Sequence, residues 1–77
     1  MLLGRPFTGE DAPQRAYRHL QMYHGISRET AHNRLEKIKR TAGLQPDDDV
    51  AIGRTGDVYD MRNQEHIGSL TDKSWGT

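Results

Sequence analysis

Residues 54–70 have the sequence RTGDVYDMRNQEHIGSL, which has the pattern of a β-hairpin. A glycine turn at Thr55-Gly56 precedes a stretch in which apolar Val58 lies between polar neighbours, as in a half-buried strand. The polar turn at residues 62–65 then separates this strand from a third strand. A short apolar strand precedes the glycine turn. The pattern predicts an antiparallel meander with strands at roughly residues 49–54, 57–61 and 66–70.

This hairpin carries more reactive side chains than its fold requires. Val58, Ile67 and Leu70 suffice to hold it against a core. Successive residues of a strand point to opposite faces, so Asp57 and Tyr59 are expected on the face opposite Val58. We therefore expect that open face to be a working surface.

Two amphipathic helices are predicted before the sheet, over residues 12–24 and 28–42. Asp11 and Ser27 are suitable N-caps, and Gly25 and Gly43 are natural stops. The predicted buried stripes are Ala16, Leu20 and Tyr23, with Tyr17 and His24 at the edge, in the first helix, and Ala31, Leu35, Ile38 and Ala42 in the second. The fold class is therefore α+β: two N-terminal helices followed by a three-stranded antiparallel β-meander.

The length and composition predict one small domain. The chain has 77 residues, of which 32% are hydrophobic, and no cysteine, so its core is thin and has no disulfide. We expect a mobile lead-in at residues 1–10, a single domain over 11–77, and a Trp75 that packs against the sheet. No apolar run approaches the ~20 residues that span a bilayer, so no membrane partner is expected.

The neutral net charge hides an asymmetry between the helices and the sheet. Residues 18–40 contain six Lys or Arg against two Glu, whereas residues 41–77 contain three against seven acidic residues. A polyanion such as RNA would be attracted to the helical part. The predicted phosphate-binding residues are Arg28, His32, Arg34, Lys37 and Lys39.

The residue types favour proton-transfer chemistry without a metal or another cofactor. There is no glycine-rich phosphate loop, no Gly-x-Ser-x-Gly motif and no His-Glu-x-x-His motif. Asp47–Asp49 are consecutive but lack the ligand spacing of a calcium loop. RNA can be cleaved by a base, an acid and donors for the charged phosphorane. The predicted catalytic residues, which supply all three, are His24, Arg54, Asp57, Tyr59 and His66.

Several segments together carry a resemblance to a known class of proteins. They are His24-Gly25-Ile26, the HNRLEKIK run at 32–39, Asp49-Val50, RTGDVYD at 54–60 and EHIGSLT at 65–71. Over roughly residues 19–71 the chain resembles the C-terminal toxin domains of bacterial polymorphic toxins, of the Rhs, contact-dependent-inhibition and secretion-system effector types. The hairpin is also similar to the short sheet of colicin-type nucleases that cleave ribosomal or transfer RNA. That nuclease family has Asp, His and Glu along one strand and a strongly basic flank, which have no counterpart here, so its catalytic roles are not transferred.

The resemblance implies a toxin that acts inside a competing cell. It implies a larger carrier protein N-terminal to this domain, secretion or delivery by that carrier into the cytoplasm of the target cell, and a cognate immunity protein. The expected function is a metal-independent endoribonuclease that cleaves tRNA or rRNA.

A rival interpretation is a winged-helix DNA-binding module. Ile26–Ala31 and the helix that follows resemble a recognition helix, with residues 50–70 as the wing. Arg28, His32 and Lys39 would then enter the major groove, and Arg54 would reach a phosphate. Only one helix precedes the candidate recognition helix, and the wing is acidic, which counts against this alternative. A non-enzymatic interaction domain is a third option.

Overall fold

The protein is described by a computed structural model that covers residues 5–76. Two helices, α1 (Ala12–His24) and α2 (Arg28–Thr41), are followed by three strands, β1 (Val50–Ile52), β2 (Asp57–Asp60) and β3 (His66–Ser69). The strands form one antiparallel sheet in the order β1-β2-β3. The predicted α+β architecture is confirmed.

The first helix ends where the sequence predicts but buries a different tyrosine. Gly25 adopts a left-handed conformation, with φ of 64°, and its N–H bonds to Leu20 O. Tyr17 is buried, whereas Tyr23, predicted to face the core, is 68% exposed. The reason is that the chain turns back at Gly25, so that Ile26 rather than Tyr23 packs against the core at this end of α1.

The second helix follows its predicted pattern and adds two buried cations. Ser27 caps it by accepting a hydrogen bond from Thr30 N at 3.2 Å. Its predicted stripe is buried, except that Ala42, just past the helix end, is only partly so. Arg34 and Lys39 are also buried, although the sequence predicted both on the surface.

The inner face of the sheet packs against both helices. Val50, Ile52 and Val58 are among the largest fully buried side chains, and α1 contacts β1 while α2 contacts β3. Gly68 allows this approach, because a Cβ at this position would lie only 2.9 Å from Ile38 Cδ1. On the opposite face, Asp57 and Tyr59 remain partly exposed.

Chain segments outside the helices and strands extend this core. Phe7 exchanges two backbone hydrogen bonds with Ile52, at 2.8 and 2.9 Å, so the lead-in is attached to β1 at this residue. Residues 1–4 of the predicted lead-in lie outside the described residues. A 3₁₀ turn at Lys73–Trp75 packs on α2, and Trp75 is half-buried against the core.

The turn between β2 and β3 is organised by Asp60. Its carboxylate accepts hydrogen bonds from Arg62 N at 2.9 Å and from Arg62 Nη2 at 2.8 Å. These bonds hold the pKa of Asp60 below its ordinary value. Asp60 is thus a structural carboxylate, whereas Asp57 on the same strand faces the other side of the sheet.

Candidate functional site

The outer face of the sheet brings together three of the five predicted catalytic residues. Because Val58 is buried, the neighbouring Asp57 and Tyr59 project to the opposite face, and Tyr59 is the cross-strand partner of His66. His66 Nε2 lies 3.2 Å from Asp57 Oδ1. The Tyr59 and His66 rings meet edge to face, with centroids 5.4 Å apart and planes at 71°. We call Asp57, Tyr59 and His66 the sheet triad.

The sheet triad is open to solvent and held by its neighbours. The side chain of His66 is 52% exposed and that of Asp57 is 37% exposed. Thr55 Oγ1 donates to Asp57 Oδ2 at 2.9 Å, which fixes the second carboxylate oxygen. His66 Nδ1 makes no hydrogen bond within residues 5–76. Among the described residues one imidazole nitrogen is therefore without a partner, while the ring is oriented through the other.

The other two predicted catalytic residues, His24 and Arg54, lie in a second cluster. Arg54 stacks on Phe7, with Cζ 4.8 Å from the ring centroid, and Phe7 is 5.8 Å from the His19 ring. The rings of His19 and His24 are 6.1 Å apart. Phe7, His19, His24 and Arg54 form what we call the turn cluster, at the β1–β2 turn and the end of α1.

Thr71 contacts the strand that pairs with Asp57 and also lines a groove that contains His24. Asp57 is the cross-strand partner of Ser69, whose hydroxyl lies 2.8 Å from Thr71 Oγ1. Thr71 lines a groove of about 500 Å³ together with His24 and Lys73. Among residues 5–76, direct contacts thus join the three residues of the sheet triad, whereas His24 and Arg54 are related to each other only through His19 and Phe7.

His19 belongs to this region but was not among the predicted site residues. Partial burial, and next the positive charges of Arg54 and His24, lower its pKa below the ordinary value. Its ring also lies 4.6 Å from that of Tyr23. The sequence signal that could have identified His19 is its spacing of four residues from Tyr23, which puts both side chains on one face of α1.

A second arrangement of tyrosine, histidine and carboxylate lies on the helices. Tyr17 Oη is 3.3 Å from His32 Nδ1, and His32 Nε2 is 3.3 Å from Glu36 Oε1. We call Tyr17, His32 and Glu36 the helix triad. Burial first, and the charge of Glu36 second, raise the pKa of Tyr17 to about 12. His32, a predicted phosphate-binding residue, therefore has partners on both ring nitrogens.

Two of the predicted phosphate-binding cations are bonded to the protein itself. Arg34 donates to Leu70 O at 2.8 Å and to Gly76 O at 2.6 Å. Lys39 donates to Pro46 O at 2.7 Å. Both side chains are buried, so neither offers an exposed charge to a phosphate. The winged-helix interpretation also loses support, since it needs Lys39 in the major groove.

Arg28 and Lys37 are the predicted phosphate-binding Lys and Arg side chains that remain accessible, and His32 is exposed as well. Arg28 and Lys37 are both on α2, and Arg28 donates a hydrogen bond to Gln14. Arg40 is also exposed and was not among the predicted residues. The accessible positive charge of α2 is therefore smaller than the sequence count suggests.

Residues 5–76 contain neither a candidate metal site nor a helix that could span a membrane. No group of three or more His, Asp or Glu side chains in this part of the chain could hold a metal ion. None of the described helices has the length and apolar character needed to cross a membrane.

Comparisons with known proteins add no relative. No family model matches the sequence, and no curated protein or solved structure is significantly similar to it. The resemblance to polymorphic toxin domains therefore stays a prediction.

Proposed function

We propose that this chain is an antibacterial toxin domain that cleaves RNA, tRNA or rRNA, by proton transfer from side chains, without a metal ion. The sheet triad is the proposed active site. The observation that carries the proposal is an exposed imidazole that is oriented by a carboxylate at 3.2 Å, contacts a tyrosine ring and has one ring nitrogen free of described partners.

His66 is suited to act as the general base. When its Nε2–H donates to Asp57, the lone pair on Nδ1 can accept a proton. Asp57 then orients the ring and stabilises the imidazolium that forms, as carboxylates do in other nucleophile-activating sites. Thr55 supports this role because its hydroxyl fixes Asp57.

The proposed reaction is an internal displacement within the RNA. His66 removes the proton of a 2′-hydroxyl, the 2′-oxygen attacks the adjacent phosphorus, and the bond to the 5′-oxygen breaks. Tyr59 donates a proton to that departing oxygen, so the products are a 2′,3′-cyclic phosphate and a free 5′-hydroxyl. Water then returns a proton to Tyr59 and removes one from His66.

We assign the positive charge of the proposed site to the turn cluster. Arg54 is exposed, and its stacking on Phe7 limits its motion. His24 lies in the last turn of α1, where the helix dipole favours a cation. In the proposal these two residues attract the phosphates on either side of the scissile bond.

Purified protein tests this proposal when it is incubated with tRNA and rRNA in excess EDTA. We expect fragments that end in 2′,3′-cyclic phosphate, and no cleavage by a His66→Ala variant that is folded by circular dichroism. Intact RNA with the unmodified protein would overturn the proposed function. Equal cleavage by the variant would overturn the assignment of the sheet triad.

The toxin setting has its own test. Induced expression of the chain inside a bacterial host is expected to arrest growth and degrade RNA, whereas the His66→Ala variant is expected to allow growth. Normal growth with a confirmed level of folded, unmodified protein would contradict the toxin role.

A further inference from the structure

A groove between α2 and the C-terminal segment lies outside the sheet triad and the turn cluster. It has a volume of about 380 Å³, and its lining residues are Lys37, Arg40, Thr41, Ser74, Trp75 and Gly76. One wall therefore comes from the last turns of α2, and the other from the 3₁₀ turn and the glycine after it. We call it the Trp75 groove.

The α2 wall provides accessible positive charge. Lys37 and Arg40 are exposed, and neither forms an ion pair within residues 5–76. Glu36, the neighbouring carboxylate of the helix, instead contacts His32. A Cβ on Gly76 would lie 2.9 Å from Lys37 Nζ, so the absent side chain lets the ammonium lie against the backbone of the opposite wall.

The opposite wall provides an aromatic ring held in place. Trp75 is half-buried, since it packs against the core on one side and lines the groove on another. Asp72 caps the 3₁₀ turn by accepting a hydrogen bond from Ser74 N at 2.9 Å. Arg34 fixes the following residue through its bond to Gly76 O. The buried Arg34 thus orders the wall that carries Trp75.

We propose that the Trp75 groove binds one nucleotide of single-stranded RNA, outside the cleavage site. Lys37 and Arg40 contact the phosphate, and Trp75 contacts the base. Cations that follow the backbone, combined with aromatic side chains on which bases stack, are how single strands are bound without sequence preference. An acidic peptide would use the two cations but would leave the aromatic wall without a role. This inference rests on the proposed function in taking RNA as the ligand.

The single tryptophan makes the groove directly observable, because Trp75 alone reports indole fluorescence. The probe is a short single-stranded 2′-O-methyl oligoribonucleotide, which the proposed reaction cannot cleave because its 2′-oxygens carry no proton. We expect saturable quenching that weakens as salt is raised. A deoxyribo-oligonucleotide of the same sequence is expected to bind about as tightly, because the proposed contacts are to the phosphate and the base and none is to the 2′-oxygen. Much weaker binding of the deoxyribo form would contradict these assigned contacts.

Charge-matched double variants test the two cations. Lys37→Ala/Arg40→Ala is expected to weaken binding and to lower the slope of log K against log salt by about 0.7, since the two cations contact one phosphate and each lost single-strand phosphate contact removes about 0.7. Arg5→Ala/Arg18→Ala removes two exposed arginines outside the groove and serves as the control. No quenching, equal losses in both double variants, or displacement of the oligonucleotide by a polyglutamate peptide at equal charge would each overturn the proposal.

The failure of this proposal and that of the proposed function give different results. RNA cleavage without a Trp75 response would refute the groove alone. A normal Trp75 response without any cleavage would refute the nuclease but leave nucleotide binding intact.

Discussion

The sheet triad and the helix triad each combine a tyrosine, a histidine and a carboxylate in nearly the same geometry. Each places a histidine Nε2 just over 3 Å from a carboxylate, 3.2 Å on the sheet and 3.3 Å on the helices, and each sets a tyrosine ring edge-on to the imidazole. The exposure of the histidine side chains is also similar, 52% and 55%.

The difference between the triads lies in the tyrosine and in the second imidazole nitrogen. Tyr17 is only 2% exposed, and its hydroxyl occupies His32 Nδ1, so the helix triad is closed by the protein. Tyr59 is partly exposed, and His66 Nδ1 has no partner among the described residues. The same three kinds of group therefore connect α1 to α2 in the helix triad, whereas in the sheet triad they are open to solvent.

The largest expected effect separates the two histidines by activity. His66→Ala should lower kcat/KM for RNA cleavage by roughly 100- to 10,000-fold, because a general base is lost. His32→Ala, the matched control, should leave cleavage within about threefold while costing roughly 0.5–1.5 kcal/mol of stability through its lost hydrogen bonds. Steady-state kinetics and urea denaturation measure both. An equal loss of activity in His32→Ala and His66→Ala would contradict the assignment of different roles to the two triads.

The next effect tests whether buried cations of α2 are structural. Arg34→Ala should lower the free energy of unfolding by about 2–4 kcal/mol, since it removes two hydrogen bonds and leaves the buried Leu70 carbonyl without this donor. Arg28→Ala, an exposed arginine on the same helix, should stay within about 0.5 kcal/mol. Urea denaturation compares them, and equal losses would contradict the account.

A third prediction concerns the closed tyrosine at high pH. The pKa of Tyr17 is about 12 in the folded protein, above the value of 10 for an ordinary tyrosine. The unfolded chain therefore loses this proton first, and the stability from Tyr17 is full below pH 10 and declines as the pH rises to 12. A shift of this size corresponds to roughly 2–3 kcal/mol.

The test is the stability of Tyr17→Phe between pH 9 and pH 12. The variant should cost about 1 kcal/mol at pH 7, where only a hydrogen bond is lost, and should decline less than the unmodified protein at high pH. Tyr59→Phe is the control for the open triad. An identical alkaline decline in unmodified protein and Tyr17→Phe would contradict the closed state of the helix triad.

The smallest expected effect concerns the stability that Asp60 contributes at acid pH. The pKa of Asp60 is lowered by Arg62, so its contribution to stability is full above about pH 4 and is lost as the pH falls through the lower folded-state value. Asp60→Asn should flatten the acid dependence of thermal unfolding, and Arg62→Ala should do the same. Since the two residues act as one unit, the double variant should add nothing further. Additive effects would contradict this pairing.

The fold was predictable because its signals are local. Gly25, Ser27 and the glycine turn before Asp57 set the ends of helices and strands whatever the rest of the chain does. Tyr23 was misplaced because periodicity defines a helix face but not how far the core extends along it. The attachment of Phe7 to Ile52 could not be predicted, since backbone pairing between distant residues leaves little trace in side-chain pattern.

The candidate site was predictable only where strand alternation governs it. Alternation alone assigned Asp57 and Tyr59 to the open face, and pairing across the turn then brought His66 beside them. Arg34 and Lys39 were misassigned to the surface because charge favours exposure, and only the tertiary structure supplies the carbonyls that satisfy them inside. His32 is exposed as predicted, but its contact with Tyr17 was not foreseen, since Tyr17 is on another helix.

The central claim, that the sheet triad transfers protons during RNA cleavage, is tested most directly with a 5′-bridging phosphorothiolate substrate. A sulfur leaving group departs without a proton, so it bypasses the need for a general acid. We predict that Tyr59→Phe cleaves the oxygen substrate slowly but the sulfur substrate at the rate of the unmodified protein, whereas His66→Ala is slow with both. Equal slowing of Tyr59→Phe on both substrates, or no slowing of either variant, would contradict the claim.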